Sequence, residues 1–224
     1  MRRFVLDNSL TLFFVAILLL ALFGQSIAGL AAFNADQLSV GLPVLTYGRY
    51  LTSSSFAVDV AENWQSEFLQ FTLYILATVY LVQRGSSESK ELHKSGLESD
   101  QDQKVAEFAG PDAPAWARRR GWRLALYSRS LTVVMATIFL GSWVAQSIAG
   151  RSAYNEEQLG QLEDSVSWLG YVSSADFWSR TLQNWQSEFL AVAAMAIFAV
   201  YLRQRGSPES KPVGTPHTST GTEE

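Results

Sequence analysis

The heptapeptide Asn63 to Leu69, NWQSEFL, recurs letter for letter at Asn184 to Leu190, and each copy runs straight into an apolar stretch. A chain that twice places a carboxylate, Glu67 and Glu188, at the mouth of such a run invites one question: what surrounds those acids. The segments outside the heptapeptides narrow the answer. Leu10 to Phe23, Phe68 to Val82, Leu131 to Ala145 and Phe189 to Leu202 contain no Asp, Glu, Lys, Arg or His, while Gln83 to Arg129 is crowded with them. The 224 residues, 17% of them charged, have a mean hydropathy of +0.06, an average that hides four apolar islands. A bilayer core about 30 Å thick takes about 20 helical residues, a length each island reaches only with its semi-polar flank. The sequence thus predicts an all-α membrane protein with four transmembrane helices, near Leu10 to Gly29, Asn63 to Val82, Leu131 to Gly150 and Asn184 to Leu202.

The repeat is longer than the heptapeptide. A constant shift of 121 aligns Gln25-Ser-Ile-Ala-Gly29 with Gln146-Ser-Ile-Ala-Gly150, Asn34 and Gln37 with Asn155 and Gln158, and Gln83-Arg-Gly-Ser86 with Gln204-Arg-Gly-Ser207. A gapless offset implies two equivalent helix-loop-helix units. Each crosses the membrane an even number of times, so the two form a parallel repeat, expected to be related by a pseudo-twofold axis along the membrane normal. The domain organisation follows: a first hairpin over 1–84, a charged linker over 85–122, a second hairpin over 123–205 and a tail over 206–224. The linker from Gly85 to Arg120 and the tail mix Ser, Glu, Lys, Gly and Pro without apolar periodicity, which predicts disorder.

Orientation follows from Lys and Arg. Fourteen of the 17 lie in the N-terminus, the linker and the tail, and only Arg49, Arg151 and Arg180 lie between paired helices. That bias places both termini inside, with the long loops facing out. Met1-Arg-Arg3 ahead of an apolar run also fits a cleavable signal peptide. The same Gln-Ser-Ile-Ala-Gly string in mid-chain argues for retention instead. In the loops, Asn34-Ala-Asp-Gln37 and Asn155-Glu-Glu-Gln158 fit the start of a short capped helix. Thr52 to Ser55 and Ser173 to Ser174 fit caps of the longer helices that follow.

In a helix, Asn63, Glu67 and Gln70 share a face, extended by Tyr74 and Thr78, with Trp64 elsewhere. The partner helix carries Gln25 near the matching end. The predicted polar layer is therefore Gln25, Asn63 and Glu67 with their mates Gln146, Asn184 and Glu188. Those glutamates need protonation, hydrogen bonds from Gln and Asn, Arg49 or Arg180, or a cation. One role is interhelical hydrogen bonding; the other is a proton or cation site. Gly141, Ala145 and Ala149, echoed by Gly24 and Ala28, form a small-residue ridge suited to close helix packing.

The remaining signals are exclusions. There is no cysteine, and His93 and His217 both lie in polar segments, so no metal, haem or other cofactor is expected. No P-loop, zinc protease pattern or nucleophile elbow points to an enzyme. A net charge of −4 gives no case for nucleic acid. Arg118, Arg119, Arg120 and Arg123 suit a topology determinant or anionic lipid.

Taken together, the paired N-W-Q-S-E strings, the two Gln-Ser-Ile-Ala-Gly strings and the Gln-Arg-Gly-Ser exits resemble an uncharacterised family of bacterial integral-membrane proteins, a domain of unknown function. The resemblance implies a multi-pass protein of the bacterial inner membrane and brings no catalytic residue. Two functions are expected: a structural or interaction protein, or a small oligomeric permeation module using the intramembrane glutamates. The partners are the lipid bilayer and, for a pore, further copies in a homo-oligomer.

Overall fold

The computed structural model describes residues 2–221; Met1, and Thr222 to Glu224 of the tail, lie outside the described residues. Among the described residues the chain is helical with no strand. The helices are α1 (Arg2–Asp7), α2 (Ser9–Ser39), α3 (Tyr47–Leu51), α4 (Ser54–Tyr80), α5 (Trp122–Tyr127), α6 (Ser130–Gly160), α7 (Trp168–Val172) and α8 (Ala175–Tyr201), with a 3-10 turn at Ala106–Phe108. The helices α2 and α6, 31 residues each, are long and apolar enough to cross a membrane. At 1.5 Å per residue each is about 46 Å long, well beyond a hydrocarbon core.

That length corrects one expectation. Asn34 and Asn155 do not begin separate helices; α2 and α6 run through them without a break. Their side chains act sideways. Asn34 Nδ2 donates to Leu45 O at 3.0 Å, and Leu45 N donates to Asn34 Oδ1 at 2.7 Å. Asn155 does the same to Val166, at 3.1 and 2.8 Å. Each asparagine thus satisfies both backbone groups of one loop residue, folding the returning chain against the helix that precedes it.

The chain divides into two compact units: Met1–Ala61 with Ala145–Phe177, and Glu62–Val144 with Trp178–Glu224. Each draws on both sequence repeats rather than holding one hairpin. The first, the loop unit, contains both Asn clips and builds the same core twice. Tyr50 and Tyr171 are among its most buried large side chains, 2% and 1% exposed. Tyr50 lies between Phe33 and Phe56, with ring centroids 5.8 and 5.5 Å away, and Tyr171 between Tyr154 and Phe177 at 5.5 and 5.6 Å. The Tyr50 hydroxyl sits where a Cβ on Gly29 would be, and the Tyr171 hydroxyl where one on Gly150 would be. This contact is why Gln-Ser-Ile-Ala-Gly ends in glycine. Burial, with Asp59 adding, pushes the Tyr50 hydroxyl above its ordinary ionisation range. Ser26 Oγ bonds the Tyr47 hydroxyl at 2.8 Å, and its mate Ser147 accepts from Trp168 Nε1 at 3.0 Å. Ser53 and Ser174 then cap the next helices, accepting from Phe56 N and Phe177 N at 3.2 Å each, within the expected capping segments.

In the second, the motif unit, α4 and α8 end in matching turns. Gly85 and Gly206 both adopt φ 84, a left-handed backbone that glycine takes without steric cost. Gln83 N donates to Ser89 Oγ at 2.8 Å and Gln204 N to Ser210 Oγ at 2.9 Å. The repeat therefore continues through Ser-x-Glu-Ser-Lys to Lys90 and Lys211. Lys90 Nζ donates to Gly96 O at 2.9 Å and pairs with Glu98 at the same distance. Lys211, 2% exposed, donates to Pro216 O, His217 O and Ser219 O at 2.9–3.2 Å, while burial and nearby Arg203 push its ammonium below the ordinary lysine range. Gly85 N reaches Thr220 Oγ1 at 2.9 Å and Gly221 N reaches Ser86 O at 3.0 Å. At these positions the serines and lysines of linker and tail bond to backbone groups. Of the small-residue ridge, Gly24 and Gly141 stand open: a Cβ on either meets nothing within 4 Å.

Gly29→Ala and Gly150→Ala are expected to destabilise the protein by about 1–3 kcal/mol each, because Tyr50 and Tyr171 are wedged between rings and cannot retreat. Thermal melting of the purified protein measures the loss, and Tyr50→Phe in the Gly29→Ala background is expected to recover part of it.

Candidate polar seam between the motif helices

Within the motif unit, α4 and α8 meet along a row of polar pairs. Arg180 Nε donates to Glu62 Oε2 at 2.8 Å in a half-buried ion pair. One turn along, Trp185 Nε1 donates to Gln65 Oε1 at 2.8 Å, and Gln65 has no exposed surface. Ser66 Oγ approaches Glu188 Oε1 at 3.5 Å, the outer limit for such a bond, and Ser66 Oγ also donates to Asn63 O at 2.9 Å. Below these, Leu69 and Thr72 are buried, and Thr72 returns its hydroxyl to Phe68 O at 2.7 Å. The buried face of α4 is therefore Gln65, Ser66, Leu69 and Thr72, at helical spacings of one, three and three. From α6, Trp143 packs on the seam, its ring 6.1 Å from Trp178 and 5.9 Å from Trp185.

The six expected site residues divide between the two units. Gln25 and Gln146 belong to the loop unit, where Gln25 is half-buried and Gln146 has no exposed surface. The other four belong to the motif unit. Asn63 and Glu67 are exposed, the reverse of the inward face expected for them. Asn184 and Glu188 are half-buried, and Asn184 Nδ2 donates to Arg180 O of its own helix at 3.0 Å. Glu67 lies within electrostatic range of Glu188. Arg180 pairs with Glu62. Tyr74, expected on the same face as Glu67, donates to Glu88 in the exit turn.

The reason for the rotation lies in the partner. α4 turns its Gln65 and Ser66 edge inward because α8 presents an indole N–H and a carboxylate there, and a buried amide needs such groups. Trp185 is the functional residue missed from sequence, since its mate Trp64 reads as an interfacial aromatic and is 43% exposed. The Glu62–Arg180 pair had a legible signal: opposite charges one and four residues ahead of the two heptapeptides. Gln65 Nε2 is buried without a hydrogen-bond partner. Among the described residues no group of three or more His, Asp or Glu is placed to hold a metal ion.

The seam can clamp two helices, and it places one half-buried acid beside an exposed one. Comparison with known families adds a single finding: the model described as Domain of unknown function (DUF6766) matches residues 1–222. The chain belongs to this family. The match spans both heptapeptides and both exit turns, so seam and clips alike fall within the DUF6766 domain. No curated protein matches the chain, and no solved structure matches it.

Trp185→Phe is expected to cost about 1–3 kcal/mol, since it leaves the Gln65 carbonyl buried and unpaired. Adding Gln65→Leu is expected to return most of that, so a double-mutant cycle of melting free energies measures a coupling of about 1 kcal/mol.

Proposed function

We propose that this DUF6766 protein is a four-helix integral protein of the bacterial inner membrane whose role is structural, holding a folded inner-surface platform on a clamped helix pair. The observation that carries the membrane reading is the surface of α2, on which Ser26 is the one buried residue while Phe13, Phe14, Leu19, Leu20 and Phe23 are all exposed. A water-soluble helix turns such a set inward. α6 has the same character, with Leu131, Val134, Leu140 and Val144 exposed. α4 and α8 supply the other two spans in this reading. Their later halves carry no charge and expose Leu73, Leu76, Ile197 and Phe198, while the charges ahead of those halves include the mutually neutralised Glu62 and Arg180. The Lys and Arg bias sets both termini, the linker and the tail inside.

A structural role is favoured over permeation by the closed seam. Transport along it requires a wet path past Glu67, Gln70 and Tyr74, whereas Gln65 is sealed under Trp185 and Tyr74 is tied to Glu88. The platform of linker and tail offers charged surface for a partner protein, and the reading assigns no catalytic step. One observation favours the second reading, a permeation module: Glu188 is half-buried and feels Glu67, an arrangement able to hold a proton or monovalent cation.

Two measurements test these readings. With cysteines introduced singly at Ser39 and Ser95, an impermeant thiol reagent applied to intact cells is expected to label the first and not the second; the opposite pattern inverts the orientation. In proteoliposomes, flux of protons and monovalent cations is expected to match that of protein-free vesicles. A flux that Glu67→Gln or Glu188→Gln abolishes without unfolding the protein selects permeation.

A further inference from the structure

The two copies of NWQSEFL are identical in sequence and opposite in surroundings. In the first copy Gln65 and Ser66 are buried, at 0% and 1% exposure, and Leu69 follows at 9%. In the second, the same face lies bare: Gln186 and Ser187 are exposed and Leu190 is 65% exposed. The complementary face behaves in the opposite sense. Trp185 and Glu188 on α8 are half-buried against α4, whereas Trp64 and Glu67 on α4 are exposed. Ser187 Oγ donates to Asn184 O at 2.9 Å, as Ser66 donates to Asn63 O, so the bare copy already holds the conformation of the covered one.

This asymmetry corrects the expected pseudo-twofold relation for the motif helices. Under a twofold axis, a contact between Gln65 and Trp185 is always accompanied by one between Gln186 and Trp64. Among the described residues only the first is made. The contact is therefore heterologous: a Trp/Glu face on one helix set against a Gln/Ser face on the other, leaving one face of each kind over. A heterologous contact repeats until it closes into a ring or extends into a chain.

We propose that the exposed Gln186, Ser187 and Leu190 face of α8 is an interaction surface for a second copy of this chain, which covers it with Trp64 and Glu67 of its α4. The intermolecular joint then reproduces the intramolecular one, Trp64 over Gln186 and Glu67 beside Ser187, with motif helices alternating α4, α8, α4, α8 around the assembly. Three observations carry the assignment to this occupant. The required partner surface is present and uncovered on the same chain. It is chemically identical to the surface that seals the first copy. And, resting on the membrane reading above, the Gln186 amide facing lipid has no hydrogen-bond partner, which a second copy supplies. The joint is the weaker of the two, because the residues equivalent to Arg180 and Glu62 are Asp59 and Gln183, which form no ion pair of the same kind.

The natural chain contains no cysteine, so introduced pairs report cleanly. In oxidised native membranes the full chain carrying Glu67→Cys and Ser187→Cys is expected to run mostly as covalent dimers and higher species. The chain carrying Ser66→Cys and Glu188→Cys is expected to cross-link internally and stay at monomer mobility. A Glu67/Ser187 pair that leaves the chain monomeric overturns the proposal, and so does failure of the Ser66/Glu188 pair, since the template contact is then absent. Ser187→Trp, which blocks the new joint without touching the old one, is expected to shift native mass spectra from oligomer to monomer while the Ser66/Glu188 cross-link persists; an unchanged oligomer distribution counts against it. Extraction of the chain by alkaline carbonate overturns the membrane reading separately, and the cross-linking pattern still judges the joint.

Discussion

A buried amide carbonyl must be given a hydrogen-bond donor, and in this protein that requirement at Gln65 settles how the motif helices face one another. The Gln65 carbonyl accepts from the Trp185 indole, and the two residues bring with them the Ser66–Glu188 approach and the Glu62–Arg180 ion pair. No apolar contact among these helices dictates so definite a rotation, because Leu, Phe and Val surround α4 on several sides and any of them packs about equally well against a neighbour. Hydrogen bonds are directional, and an unpaired polar group in apolar surroundings costs more than a displaced methyl. Polar residues on an apolar helix therefore fix its register with little help from bulk hydrophobicity.

The loop unit uses the same economy. A single asparagine, Asn34 or Asn155, satisfies both backbone groups of a loop residue eleven positions on, and a single glycine, Gly29 or Gly150, makes room for a tyrosine that fills the space between helix and loop. At the other end of α4 and α8, Ser89 and Ser210 take up the backbone N–H groups beyond the last turn, and Lys90 and Lys211 gather carbonyls from the segments that follow. Glycine, asparagine, serine and lysine carry the specificity; the aliphatic residues supply surface.

Duplication gives two copies of each device, yet the copies need not serve alike. The loop cores are built from local contacts, so equal sequences give equal structures: Tyr50 repeats in Tyr171 down to the ring distances. The heptapeptides meet one another, and two identical strips in heterologous contact cannot both present the same face to the joint. One copy must be covered and one left over. The Gln-Ser edge is buried in the first and bare in the second for that reason, with no change of residue between them.

From the sequence alone came the helical class, the four apolar segments, the gapless repeat, the serine caps and the glycine-marked exits, because each depends on residues close in the chain or on composition over a helix length. The sequence also showed the importance of the heptapeptide, but not which face of it turns inward. Glu67 and Asn63 read as the buried set by helical spacing, and spacing of three and four is equally well met by Gln65, Ser66 and Leu69. Likewise the linker and tail lack apolar periodicity, and the contacts that Lys90, Lys211 and serines make to backbone there leave no periodic trace. Only the tertiary structure chose the face, by bringing Trp185 opposite Gln65, since periodicity records which residues share a side of a helix and says nothing of what stands across from it.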